Sequence, residues 1–133
     1  MRANRQKSGN LSDDRKAMLA MLRDARAIVY RDSESFNEAV SVLEHVGQML
    51  RGVVLNGLND YKDAICNLGR LAPAINSERV EFLFDTVRKA RNDSVHSGDF
   101  IRHHSIRLVE LLLMLEEGLA MSGKSAGDLM VQN

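Results

Sequence analysis

Between Leu108 and Leu115 the chain reads LVELLLML, and on a helix those apolar side chains wrap almost the whole way round the axis. Such a helix has to be covered on more than one side, as the central helix of a bundle or as part of a dimer interface. Other segments offer the cover. Met18, Met21, Leu22, Ala25, Ile28 and Val29 recur at the three-and-four spacing of one helical face. So do Phe36, Ala39, Val40, Leu43, Val46, Met49 and Leu50, and then Val80, Leu83, Phe84 and Val87. With one proline in 133 residues and few β-branched runs, the expected fold class is all-α, a bundle of four to five helices. The seven methionines fit as fillers of that core.

The boundaries follow from capping chemistry. Residues 1–11 carry Arg2, Arg5 and Lys7 without an apolar period and read as a flexible basic arm. The helical domain spans 12–121, opening with Ser12 as N-cap and Asp13 and Asp14 in the first turn. Ser33 or Ser35 caps a second helix, with Glu38 in capping-box register to Ser35, and that helix runs to about residue 51. Gly52 and NGLND mark a connection before a shorter helix from Tyr61 to Leu68. Ser77 caps a fourth helix, and a fifth starts at Asp99 or Phe100 and runs to about Ala120. Residues 122–133 read as a polar tail, and no repeat or linker divides the chain.

Eighteen basic and eighteen acidic residues cancel, so any attraction for nucleic acid has to be local. A lone Cys66 excludes an internal disulfide and fits a reducing compartment. The first residues lack the apolar centre of a signal peptide, and LLLML at 111–115 is far too short for a membrane span. These features point to a cytoplasmic protein without a membrane partner.

The best helical signal is interrupted at residues 91–98 by RNDSVHSG. A turn needs the Ser and Gly; it does not need the Arg or the His. Arginine offers a planar fork of permanently charged donors suited to phosphate oxygens. Histidine exchanges a proton near neutrality. Together, Arg91 and His96 are a minimal kit for cutting RNA without metal: a base takes the ribose 2′-hydroxyl proton, that oxygen attacks phosphorus, and a cation meets the developing charge. Asn92 can orient the imidazole or the phosphate. One copy of the turn is sparse, and a symmetric dimer would bring two together. The competing reading is purely structural: Arg91 near a helix C-terminus, His96 packed on the bundle, and Ser97-Gly98 as the stop.

Arg91-Asn92-x-x-x-His96 resembles the R-x(4–6)-H motif of the HEPN superfamily, and its setting between a penultimate helix and a long apolar final helix is similar too. The resemblance covers about residues 12–120, with its specific part confined to six residues. It implies a helical bundle that dimerises through its last helices, with the two motifs facing each other. It also implies a metal-independent endoribonuclease of a toxin–antitoxin or phage-defence system, needing no cofactor. Arg91 and His96 would then be catalytic, with Asn92 in support, and an antitoxin or defence-system protein would be a possible partner. Toxins of this superfamily that pair with a nucleotidyltransferase-like antitoxin often carry a tyrosine two residues after the histidine. Here Gly98 stands there, which argues against control through such a tyrosine. Other members are non-catalytic modules that bind a partner protein and dimerise, and that remains the alternative. A small antitoxin or regulator using the basic arm is a third.

Arg88, Lys89, Arg102 and His103 flank the motif as candidate RNA contacts, with Arg107 extending a basic strip that Asp85, Asp93 and Asp99 dilute. His103 and His104 are adjacent, so on a helix they point about 100° apart and chelate one ion poorly; no metal site is expected. Cys66 reads as a small buried hydrophobe and His45 as a helix-face residue. GKSAG lacks the upstream glycine and strand of a phosphate loop.

Overall fold

The computed structural model describes residues 2–73, 77–92 and 98–132, with side chains described at 13–73, 78–91 and 100–122. All regular structure among them is helical: α1 (Arg2–Ile28), α2 (Ser33–Arg51), α3 (Lys62–Gly69), α4 (Val80–Asn92) and α5 (Gly98–Gln132). Short 3₁₀ turns, Leu58–Tyr61 and Ser77–Arg79, lead into α3 and α4.

The expected apolar stripes are the core. Leu22 and Ala25 of α1, with Val29 just past its end, share one buried core with Phe36, Ala39, Val40, Leu43 and Val46 of α2 and Val80, Leu83, Phe84 and Val87 of α4. Leu108, Leu111, Leu112, Met114 and Leu115 of α5 are fully buried, because α5 packs against each of the other four helices. Burying one such side chain is worth about 1.5–3 kcal/mol, so this helix anchors the bundle. The near-continuous apolar wrap is thus satisfied within one chain, as a central helix, and it supplies no separate argument for a dimer.

The ends of the helices differ from the expected ones. α1 starts at Arg2 rather than near Ser12, so helix continues across the stretch read as an arm and Ser12 lies inside it. α5 continues past Ala120 to Gln132, across the stretch read as a tail. The one proline, Pro73, lies in neither, and adding a residue to an existing helix costs far less than nucleating one. At α2 the cap is Asp32, not Ser33 or Ser35: its carboxylate accepts from the Ser35 backbone N–H at 2.7 Å. That bond holds the Asp32 carboxyl below its usual range. α2 ends as expected at Gly52, whose φ of 71° is the left-handed conformation glycine adopts freely.

Long-range polar contacts tie α5 to the rest. The buried Ser105 hydroxyl donates to the Val29 carbonyl at 3.0 Å, answering one of the free carbonyls at the end of α1. Arg26 grips Glu116 bidentately at 2.7 and 3.0 Å, and Arg79 grips Glu110 at 2.8 and 3.2 Å. Gly118 lets α5 pass the end of α3, since a Cβ there would run into the Leu68 carbonyl oxygen.

Candidate functional site

The last turn of α4 carries the arginine of the motif. Val87 and Ala90 bury on the core side of this helix, which places Arg88 and Arg91, three residues apart and so neighbours on one face, along the edge facing α2. There they line an open cleft of about 430 Å³ whose other walls are Glu44 of α2 and residues 56–59. The cleft holds two guanidinium groups against one carboxylate.

The two arginines are held differently. Arg91 Nη1 donates to Glu44 Oε2 at 2.9 Å, with both side chains about a third exposed or less. Among the described residues one of its five N–H donors is used in that bond. Arg88 has a looser hold. Its Nε lies 4.0 Å from Asp85 Oδ1, while Asp85 Oδ2 receives Lys62 at 3.1 Å. That Nε is buried with no hydrogen-bond acceptor among the described residues. The same Asp85 contact raises the Lys62 ammonium above its ordinary value.

Residues 53–59 are held by Tyr61. Its ring is fully buried against Gly47, where a Cβ would come within 2.5 Å of the Tyr61 Cγ. Its hydroxyl donates to the Val53 carbonyl at 3.1 Å and accepts from the Leu55 backbone N–H. Asp60 accepts from the Asn56 and Gly57 N–H groups at 3.1 and 3.2 Å, which turns the backbone of Asn56 and Gly57 around the carboxylate. The amide side chains of Asn56 and Asn59 are exposed beside the cleft.

Of the residues singled out in the sequence, Arg88 and Arg91 come together in this cleft. Lys89 is exposed on α4, turned from their face by its position in the helix. Arg102 lines a different cleft, of about 310 Å³, with Tyr30, Arg31, Asp32 and Ile101. His103 is exposed and stands edge-on to His104, ring centroids 5.1 Å apart. Arg107 lies over the exposed Phe82 ring at 5.4 Å, and Arg79 reaches the same ring at 5.7 Å. Among the flanking cations, then, Arg88 shares a cleft with Arg91, Arg102 lines another, and Arg107 lies over Phe82. His96 lies outside the described residues, as does the side chain of Asn92, and so do the Ser77 side chain and the Ser97 stop.

Glu44, Asn56 and Asn59 were not marked by the sequence as site residues. Glu44 reads as one more charge on an amphipathic helix, and NGLND reads as a connection; only the packing of α2 against α4 brings them to Arg91. Cys66 is buried, and that burial pushes its thiol up to about 11, so it is protonated and unreactive at neutral pH. Comparison with protein-family models, with curated proteins and with solved structures finds no match to this chain.

Proposed function

We propose that this chain is a HEPN-type, metal-independent endoribonuclease, a toxin or phage-defence effector that acts as a homodimer on RNA. The observation that supports it best is the place of Arg91: on the last turn of α4, in an open cleft beside a second arginine, immediately before the segment that carries His96. The all-helical bundle, with a long final helix after the motif, is the setting that the sequence resemblance calls for.

The chemistry follows from the residue types. His96 takes the proton of a ribose 2′-hydroxyl, and the oxygen attacks the adjacent phosphorus. Negative charge builds on the phosphoryl oxygens, where the Arg91 fork compensates it. The P–O5′ bond breaks and the departing oxygen takes a proton from a general acid, a role for His96 of a second copy. The products are a 2′,3′-cyclic phosphate and a 5′-hydroxyl.

One observation favours a second reading. The Arg91–Glu44 ion pair joins α4 to α2, which a non-catalytic module that binds and regulates a partner protein would use as a structural clamp. The two readings separate on a cleavage assay with single-stranded RNA in EDTA. The nuclease reading expects His96→Ala and Arg91→Ala to lose activity by at least about a hundredfold, the scale of a general acid–base group, while staying folded. Wild type and both variants equally inert on varied RNAs would favour the binding module.

A further inference from the structure

We infer that the cleft between α2, α4 and residues 56–59 holds one internal nucleotide of single-stranded RNA, with its phosphodiester on Arg88 and its base beside the amides of Asn56 and Asn59. The assignment rests on the ribonuclease reading and names the substrate class of that site.

Size comes first. Clefts that take small organic ligands run from about 300 to 1,000 Å³, and this one, at about 430 Å³, stands near the lower end. An isolated phosphate would fill only a corner of it. A single unstacked nucleotide suits that volume, and unstacked bases are how proteins usually read single strands.

Charge then selects among anions. Among the described residues, Arg88, Arg91 and the linked Lys62 supply three positive charges and Glu44 and Asp85 remove two, leaving a single net positive charge. A phosphodiester carries a single negative charge and matches it. A terminal phosphate monoester carries about −1.5 to −2 at neutral pH and would face the Glu44 carboxylate with an excess. The charge balance among the described residues favours an internal nucleotide over a free one. Within the cleft Arg88 is the more loosely held cation, since its contact with Asp85 is 4.0 Å long while Arg91 donates to Glu44 at 2.9 Å.

The third feature is the opposite wall. Asn56 and Asn59 present amides that each donate and accept, the pattern that pairs with base edges. Their segment is fixed from beneath by the Tyr61 hydroxyl and the Asp60 carboxylate. A rigid, amide-bearing wall facing two arginines gives base preference next to phosphate grip.

The test is binding, measured separately from cutting. Fluorescent 2′-fluoro oligonucleotides, which have no 2′-hydroxyl to attack with, are titrated with the full chain in EDTA across a series of salt concentrations. Arg88→Gln is expected to weaken binding about tenfold and to reduce the salt slope by about one, and Lys89→Gln, off the cleft, to change it less than about twofold. Asn59→Ala is expected to alter the ranking of the four homopolymers. A free nucleoside monophosphate should bind at least tenfold more weakly than a dinucleoside phosphate. Unchanged affinity and slope in Arg88→Gln, with its circular dichroism intact, would overturn the assignment, and so would equal binding of the free nucleotide. If binding follows the cleft residues while ordinary RNA stays uncut, the nuclease reading fails and the subsite stands. If RNA is cut but Arg88→Gln binds as wild type does, the reverse holds.

Discussion

Tyr61→Phe removes one oxygen atom and isolates the tie between the core and the wall of the cleft. The ring is fully buried, so phenylalanine keeps its packing against Gly47 and opens no cavity. What disappears is a hydroxyl that donates to the Val53 carbonyl and accepts from the Leu55 N–H. A buried partner left unsatisfied would cost about 1–3 kcal/mol, and an ordinary net hydrogen bond about 1 kcal/mol. Val53 is 44% exposed, so water takes over its carbonyl, while the partly buried Leu55 N–H is harder to reach. The low end of the net range, about 0.5 kcal/mol, fits the first bond and about 1 kcal/mol the second, giving about 1–2 kcal/mol together. For a domain of this size that is a fall in Tm of about 4–8 °C. Urea unfolding should show a lower midpoint with an unchanged slope, and amide exchange at Leu55 should accelerate relative to the α2 core. An unchanged midpoint with Leu55 still protected would refute the idea that this hydroxyl holds residues 53–57 in place.

The remaining predictions concern the same framework. Gly118→Ala gains about 1 kcal/mol of helix propensity, but its Cβ meets the Leu68 carbonyl, and overpacking costs about 1–3 kcal/mol; the expected outcome is a lower urea midpoint, in contrast to the gain such a change gives on an open helix face. Cys66, with its thiol near 11, should react with a thiol reagent at pH 7 only as fast as the protein opens, and rapidly in urea. Asp32 has its carboxyl lowered by the Ser35 N–H, so its contribution is complete above about pH 4, the unfolded value, and is lost as pH falls through the folded one. A Tm series from pH 7 to pH 2.5 should show that part of the acid loss absent in Asp32→Ala.

What the sequence made legible was what periodicity carries. The stripe from Phe36 to Val46 is buried as its spacing implies, and so is that from Val80 to Val87. The Gly52 stop was readable because only one residue type is at ease in that conformation. The α2 cap was not, because Asp32, Ser33 and Ser35 all offer an acceptor within four positions and backbone geometry decides among them. The start of α1 and the end of α5 were misplaced for a related reason: polar composition argues for loops, yet nothing in those stretches breaks a helix already formed.

The site divides in the same way. Arg88 and Arg91 stand three apart, so their shared face could be read from helical geometry. Glu44, Asn56 and Asn59 could not, because Glu44 meets Arg91, and Asn56 and Asn59 line the same cleft, only once the helices pack. Of the basic residues flanking the motif, Arg88, Lys89, Arg91, Arg102 and Arg107, only the pair Arg88 and Arg91 on α4 had a spacing that fixes a shared face, and the surroundings of Arg102 and Arg107 on α5 come from packing.

The most direct measurement is the chemistry of the ends left on a cut RNA. Purified protein should be incubated with end-labelled single-stranded RNA in excess EDTA, and the fragments identified by mass spectrometry. Attack by the ribose oxygen under His96 and Arg91 leaves a 2′,3′-cyclic phosphate on one fragment and a 5′-hydroxyl on the other, and His96→Ala should yield neither. Fragments ending in a 3′-hydroxyl and a 5′-phosphate, or cleavage that survives His96→Ala, would contradict the account.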